Sequence, residues 1–364
     1  MNKNNSSLFD KLTIVIPTHY RHKYLERILE YYKDSSFKIL VADSTNEKFK
    51  KTNQYKVDYF HYPDSSYHFK MNKVLQKVTT KYCVFCADDD FIAKESLFEC
   101  VEFLEEHNDY SCVQGRYVGF DKYHNGYQFR PLYFNSREIK INNEYISVRL
   151  KEYMENYFQL FYAVHKKNHI KSFFYDCCNN KMYNPILSEI GLGMYALISG
   201  KYKSLETFYS ARDQESVSSD VDRTTLDLII EDLKYKEVLY SFFKMTSKFI
   251  LSKHSIFSKI INKFDKSKDL KEDAEEILNS SIRLYCDKRR IVTKAFEERK
   301  KLLEKRKVEN STKIKYEKKL KVMELGHKQV INHAGYPVSD KKAMKNWCEI
   351  KRLLDEAESE CYEK

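Results

Sequence analysis

Three successive aspartates, Asp88, Asp89 and Asp90, close the uncharged run Tyr82–Cys86 after a single alanine. Carboxylates repel one another, and a carboxylate buried without a partner is expensive. A hard divalent cation, Mg²⁺ or Mn²⁺, relieves the repulsion through oxygen ligands. Mg²⁺ commonly takes one or two carboxylates together with substrate phosphates. A nucleoside diphosphate bridged by a cation is the chemistry that such a run suits. The competing use is a cap, in which the acidic residues meet the dipole of the helix that follows.

The surrounding elements favour the cation. Residues 12–16 form a short β-branched apolar run, predicted as a buried strand that stops at Pro17. Further strands are predicted at 37–43, 57–62 and 82–87. Leu25, Ile28, Leu29 and Tyr32 recur at helical spacing, as do Met71, Val74, Leu75 and Val78, and then Leu97, Cys100, Val101 and Leu104. The order β-α-β-β-α-β-α predicts an α/β fold, a mostly parallel sheet covered by helices. Ligands of such sheets bind beyond the carboxyl ends of the strands. Pro17-Thr18, Asp43 and Asp88-Asp89-Asp90 all fall at such ends, so one edge collects them.

Composition bounds the rest. A 364-residue chain with 42% hydrophobic residues has room for one large or two smaller domains, and 8 Gly with 5 Pro leave little for long linkers. No apolar run spans a bilayer, and residues 1–12 lack the apolar core of a secretory signal. Nine cysteines without regular spacing point to reduced thiols and a cytoplasmic setting. Cys83 and Cys86 lie within a buried strand with no second such pair, and Cys177-Cys178 reads as incidental. His61, His68, His165 and His169 show no metal-binding spacing. Residues 233–321 hold 26 Lys/Arg against 13 Asp/Glu, so within a net charge of +11 the remainder sums to −2. Basicity therefore belongs to one region, and a boundary is placed near 225: a catalytic domain at 1–225 and a basic helical region at 226–364.

The first part of the chain resembles family 2 glycosyltransferases of the GT-A fold. The resemblance rests on TIVIPTHYRHKYLERIL at 13–29, ILVADST at 39–45, FKMNKVLQKVTTKYCVFCADDDFIAKESL at 69–97 and NPILSEIGLGMYALISGKYKSL at 184–205. It implies a nucleotide pocket at Pro17 and Thr18, with Arg21 facing the diphosphate. Asp43 is implied for the base, Asn72 for the donor, and Asp88 with Asp89 for metal and donor sugar. The metal pair is expected at Asp88 and Asp90, although the family's usual first aspartate falls on Ala87. Glu189 matches the general base, with Asp176 as the alternative. Its small neighbours Ser188 and Gly191 are expected to leave room for substrate. Residues 209–220 read as a polar loop closing over the donor phosphates, with Arg212 on the diphosphate. The turn after Asp43 lacks the usual glycine. No QxxRW motif marks a processive polymerase, and no glycine-rich loop marks a nucleotidyltransferase.

The implied activity is a metal-dependent, inverting transfer of a sugar from a nucleotide-diphosphate donor to a growing glycan. That glycan is a surface polysaccharide, a lipid-linked saccharide or a glycoprotein. A CDP donor and polyol-phosphate transfer is the alternative within the transferases, and a non-catalytic basic scaffold is the alternative outside them. Residues 238–264 interleave apolar residues with lysines. Helical patterns continue over 271–325 and again beyond a turn at Gly335-Tyr336-Pro337. Such helices suit peripheral contact with an anionic inner membrane surface. They equally suit a helical subdomain with a solvated basic face, or self-association. No nucleic-acid motif accompanies the charge.

Overall fold

The computed structural model describes residues 8–123, 126–132, 139–214, 225–261, 273–291, 294, 298 and 341–362. Its opening elements follow the expected order. They are β1 (Leu12–Thr18), α1 (His22–Tyr32), β2 (Lys38–Asp43), β3 (Asp58–His61), α2 (Tyr67–Leu75), β4 (Tyr82–Phe85), β5 (Phe91–Ile92) and α3 (Lys94–Glu106). The chain continues through β6 (Tyr110–Tyr123), β7 (Gly126–Leu132), β8 (Lys140–Ile141), α4 (Ile146–Glu155), β9 (Val164–Lys166), α5 (Lys167–Asn179), α6 (Pro185–Ser199) and β10 (Lys201–Asp213).

These strands form one ten-stranded sheet with the main order β3-β2-β1-β4-β9-β6-β10-β5. It is parallel from β3 to β4 and again between β6 and β10. It is antiparallel where β9 enters between β4 and β6, and at β5. In β1, Ile14 and Ile16 enter one core while Val15 enters the other, which is why the run is apolar throughout. Helices α1 and α3 cover the first core; α2, α4, α5 and α6 build the second.

Two expectations are corrected. β1 does not stop at Pro17 but pairs with β2 as far as Thr18 and Asp43. The Val15 carbonyl accepts from Cys86 N, so Val15 and Pro17 address β4, where pairing ends at Val15 and Phe85. The missing proline N–H thus falls where no partner remains. Residues 209–213, expected as loop, form the end of β10 beside β6 and β5. Of their polar side chains, Arg212 meets Asp90 and Asp213 faces Arg27. Residues 215–220 of that segment lie outside the described residues.

The basic region shares the domain's two cores. Helices α7 (Leu226–Glu231) and α8 (Lys236–Ile261) and the helix α9 at 273–291 extend the core around α6. Phe242, Met245, Phe249 and Ile250 of α8 are buried there, while Lys244 and Lys248 stay exposed. The apolar side of α8 is therefore spent on protein. Helix α10 (Lys341–Tyr362) buries Trp347, Ile350, Leu353 and Leu354 on the opposite core, beside α1 and α3. Residues 299–325 and the turn expected at Gly335-Tyr336-Pro337 lie outside the described residues.

Candidate active site

The carboxyl ends of β1, β2 and β4 bring the first group together. Asp88 accepts from Thr18 Oγ1 at 2.8 Å and faces Arg21 Nε at 3.5 Å. Asp89 accepts from the same guanidinium at 2.6 Å, and its carbonyl accepts from Arg27 at 2.8 Å. Arg21 immediately precedes α1 and lies over the Tyr24 ring. Lys70 of α2 is buried and donates to the Thr18 carbonyl at 2.5 Å and to Ser44 Oγ at 2.9 Å. Burial lowers its amine to about 8, against the pull of Asp43 and Asp88. Asp43 has a fully enclosed side chain that accepts from Thr45 N at 2.8 Å and Tyr59 Oη at 2.6 Å. His22 Nε2 lies 2.7 Å from it, so that nitrogen carries the proton. Burial pushes the Asp43 carboxyl up, but these hydrogen bonds outweigh it and hold the carboxyl below its usual range. Tyr20, between Thr18 and Arg21, is 59% exposed and has a left-handed backbone with φ of 54°. A bulky residue rarely adopts that conformation.

Asp90 belongs to a second group. One carboxylate oxygen accepts from Arg212 Nε at 2.8 Å and the other from Asp213 N at 3.0 Å. Arg212 lies over the Tyr162 ring and donates from Nη1 to Gln159 Oε1 at 2.5 Å. The Gln159 amide in turn donates to Glu189 Oε2 at 2.9 Å, and Tyr157 Oη donates to Glu189 Oε1. A continuous line therefore runs from the acidic triplet to Glu189 through Arg212 and Gln159.

Burial pushes Asp88 up to about 6 despite Arg21 and Thr18, and Asp90 up to about 7 despite Arg212. Burial is the larger cause and repulsion from Asp89 the lesser, and a bound cation would favour the charged forms. Among the described residues no three His, Cys, Asp or Glu side chains gather as one ligand set. The protein would offer two carboxylates at most, which is what Mg²⁺ or Mn²⁺ needs when phosphate oxygens complete the shell. Asp88 and Asp90, the expected pair, each have both oxygens near protein donors and face different arginines, whereas Asp88 and Asp89 share Arg21.

Residues 13–154 match the family described as glycosyl transferase family 2. The match takes in the strand ends of the first group and the acidic triplet. No curated protein matches it. Among solved structures, S. aureus TarS 1–349 in complex with UDP-GlcNAc is similar at 14% identity and a TM-score of 0.45, over 79% of this chain and 92% of that one. TarS 1–349 in complex with UDP gives 16% and 0.43, over 74% and 71%. A longer S. aureus TarS chain gives 15% and 0.41 over 75% of this chain, which spans only 43% of that protein's length.

Within the matched residues and the chain that follows them, most of the expected residues meet. Pro17 and Thr18 end β1, and Arg21, Asp43, Asp88, Asp89, Asp90, Arg212 and Glu189 stand in the two linked groups. Asn72 does not join them. It lies against the Cys178 thiol of α5, and its Oδ1 is buried without a hydrogen-bond partner. Lys70 is the α2 residue that reaches the site, at the Thr18 carbonyl and Ser44 Oγ. Asp176 accepts from Tyr195 Oη at 2.9 Å at the junction of α5 and α6 and has no part in the line to Asp90. The room expected beside Glu189 is filled: a Cβ on Gly191 would meet Phe173 at 2.8 Å and Phe242 at 2.9 Å. Ser188 is hydrogen-bonded to His68 and to the Asn184 carbonyl. The sequence reading missed Tyr20, His22, Arg27, Tyr59, Lys70, Tyr157 and Gln159. Only Lys70 left a trace, as a charge four residues before Val74 on the apolar side of α2.

Proposed function

We propose that the domain transfers a sugar from a nucleoside diphosphate to an acceptor hydroxyl with inversion, and that Glu189 is the general base. The observation that carries this is the hydrogen-bonded line from Asp90 through Arg212 and Gln159 to Glu189. It joins an acidic, cation-compatible end to a half-buried carboxylate at the other end of one site. The acceptor oxygen attacks the anomeric carbon as the bond to the diphosphate oxygen breaks, and its proton passes to Glu189. Attack opposite the leaving group inverts the centre. A Mg²⁺ or Mn²⁺ ion held by Asp88 and Asp89 would act as a Lewis acid that neutralises the leaving diphosphate. Arg21 holds those two carboxylates side by side. His22, with Asp43 and Tyr59 behind it, and the exposed Tyr20 face the nucleoside.

The acceptor we assign is a growing glycan. Contact with an anionic inner membrane surface would be electrostatic, through outward lysines such as Lys244 and Lys248, because the apolar side of α8 is already buried. Among the described residues no helix is long and apolar enough to cross a membrane.

Calorimetric titration of UDP, GDP and CDP with and without Mn²⁺ tests the donor end. One nucleotide should bind with Mn²⁺, and Asp89→Asn should abolish that binding. A well-folded protein that binds none of the three would refute the proposal. Preference for CDP would favour polyol-phosphate transfer.

A further inference from the structure

Glu189 projects from a helix whose other side chains are almost all buried, and nothing on α6 itself fixes its carboxylate. Both of its oxygens are held from residues 157–159 instead, by Tyr157 Oη and Gln159 Nε2. Gln159 is itself tied down, because its carbonyl accepts from Gln114 at 3.1 Å and its side-chain oxygen from Arg212. Within the catalytic domain Tyr157 meets Tyr153, with ring centroids 5.5 Å apart and the two hydroxyls interacting. Its other ring contact comes from the C-terminal region: Tyr285 of α9 meets it edge-on at 5.3 Å and 88°. Tyr285 is buried in the core shared with α6. Tyr153 enters the same cluster because Gly193, one turn beyond Glu189, has no Cβ; that atom would lie 2.2 Å from Tyr153 Oη.

We propose that Tyr157 and Gln159 are positioning residues for Glu189, and that α9, through Tyr285, holds Tyr157 in place. The basic C-terminal region then completes the catalytic base instead of serving only as an attachment surface. The inference rests on Glu189 being that base. Gln159 also carries the state of the Asp90–Arg212 pair to the other carboxylate oxygen, so the donor and acceptor ends share one strut. The charged and titratable groups facing Glu189 are Tyr157, Tyr153 and Tyr285, with Arg212 beyond Gln159.

The test is donor hydrolysis, measured as nucleoside diphosphate released from a panel of UDP-, GDP- and CDP-sugars with Mn²⁺, on the full chain. Tyr157→Phe keeps the ring and removes one hydrogen bond to a charged oxygen. It should lower kcat about 10-fold and leave donor KM unchanged. Tyr285→Ala should lower kcat about 3–10-fold with the same KM, and Tyr285→Phe should restore most of the loss. Unchanged nucleotide binding by each variant shows that its fold is intact. If Glu189→Gln is inactive while Tyr157→Phe and Tyr285→Ala match the wild type in kcat, the inference is overturned and Glu189 stands as base alone. If Glu189→Gln is fully active, or the wild type hydrolyses no donor, the reading of the site fails and takes the inference with it.

Discussion

The two halves of the site are built in opposite ways. The donor half is assembled from strand ends: Thr18, Asp43, Asp88 and Asp89 each sit at or just beyond the carboxyl end of a parallel strand, and Arg21 opens the first helix. Sheet topology alone brings them together. The acceptor half takes one residue from a loop, one from the middle of a buried helix and one from the end of β10. Side-chain hydrogen bonds spanning 122, 53 and 30 residues connect them. Asp90 is the hinge between the halves. It is adjacent to Asp89 in sequence but bound to the other arginine. A backbone scaffold can hold a pocket for the common part of a reaction, while a side-chain strut can be retuned one residue at a time.

The sharpest way to break this comparison is to remove one function from each half. Glu189→Gln should lower turnover by about 10²–10⁴-fold while nucleotide binding persists. Asp89→Asn should lose Mn²⁺-dependent nucleotide binding and turnover with it. Calorimetry beside a turnover assay separates them, and a Glu189→Gln protein that also lost nucleotide binding would mean that the halves are not independent. Next in size, Arg212→Ala strands the deeply buried Asp90 and should cost about 3–5 kcal/mol in urea unfolding. Arg21→Ala leaves Asp88, as buried as Asp90, with its hydrogen bond from Thr18 and with Lys70 nearby, and should cost less, about 1–3 kcal/mol. Equal losses would show that Thr18 and Lys70 do not compensate for the missing arginine. Gly193→Ala, which presses a Cβ against Tyr153, should cost about 1–3 kcal/mol, with its kinetic effect on kcat and not on donor binding.

The smallest effect concerns pH. Burial lowers His68 and His165 to about 4. Each binds its proton more readily unfolded than folded. Stability is therefore fully present above about 6.5, the unfolded value, and falls as pH drops toward 4. Urea midpoints between pH 7 and 4 should show this decline, and His165→Asn should make it shallower.

The sequence shows the donor half because parallel strands leave a continuous apolar signature and polar residues that interrupt it stand out. Asp43 and Asp88-Asp89-Asp90 were readable for that reason. Pro17 misled as a stop because whether its missing N–H matters depends on where the neighbouring strand ends. Residues 209–213 misled because a strand end that brings Arg212 and the Asp213 N–H to the buried Asp90 has the composition of a loop. Tyr157 and Gln159 were silent, since an amide and a phenol in an aromatic stretch have no periodic signature and their partner lies 30 residues away. Gly191 and Ser188 suggested space for a substrate, but small residues on a buried helix make room for the neighbouring aromatics.

The two ends of the C-terminal region close opposite faces of the sheet, α8 and α9 on one and α10 on the other. During synthesis, the apolar faces of α1, α3 and α6 therefore leave the ribosome long before the residues that cover them. The pairing of Trp347 with α1 and α3 waits for the last two dozen residues of this sequence. Such long-range closure slows folding and leaves an intermediate with exposed apolar surface, which chaperones bind and which aggregates when crowded. Trp347 is the only tryptophan in the chain, so its fluorescence would time that final closure without any added label.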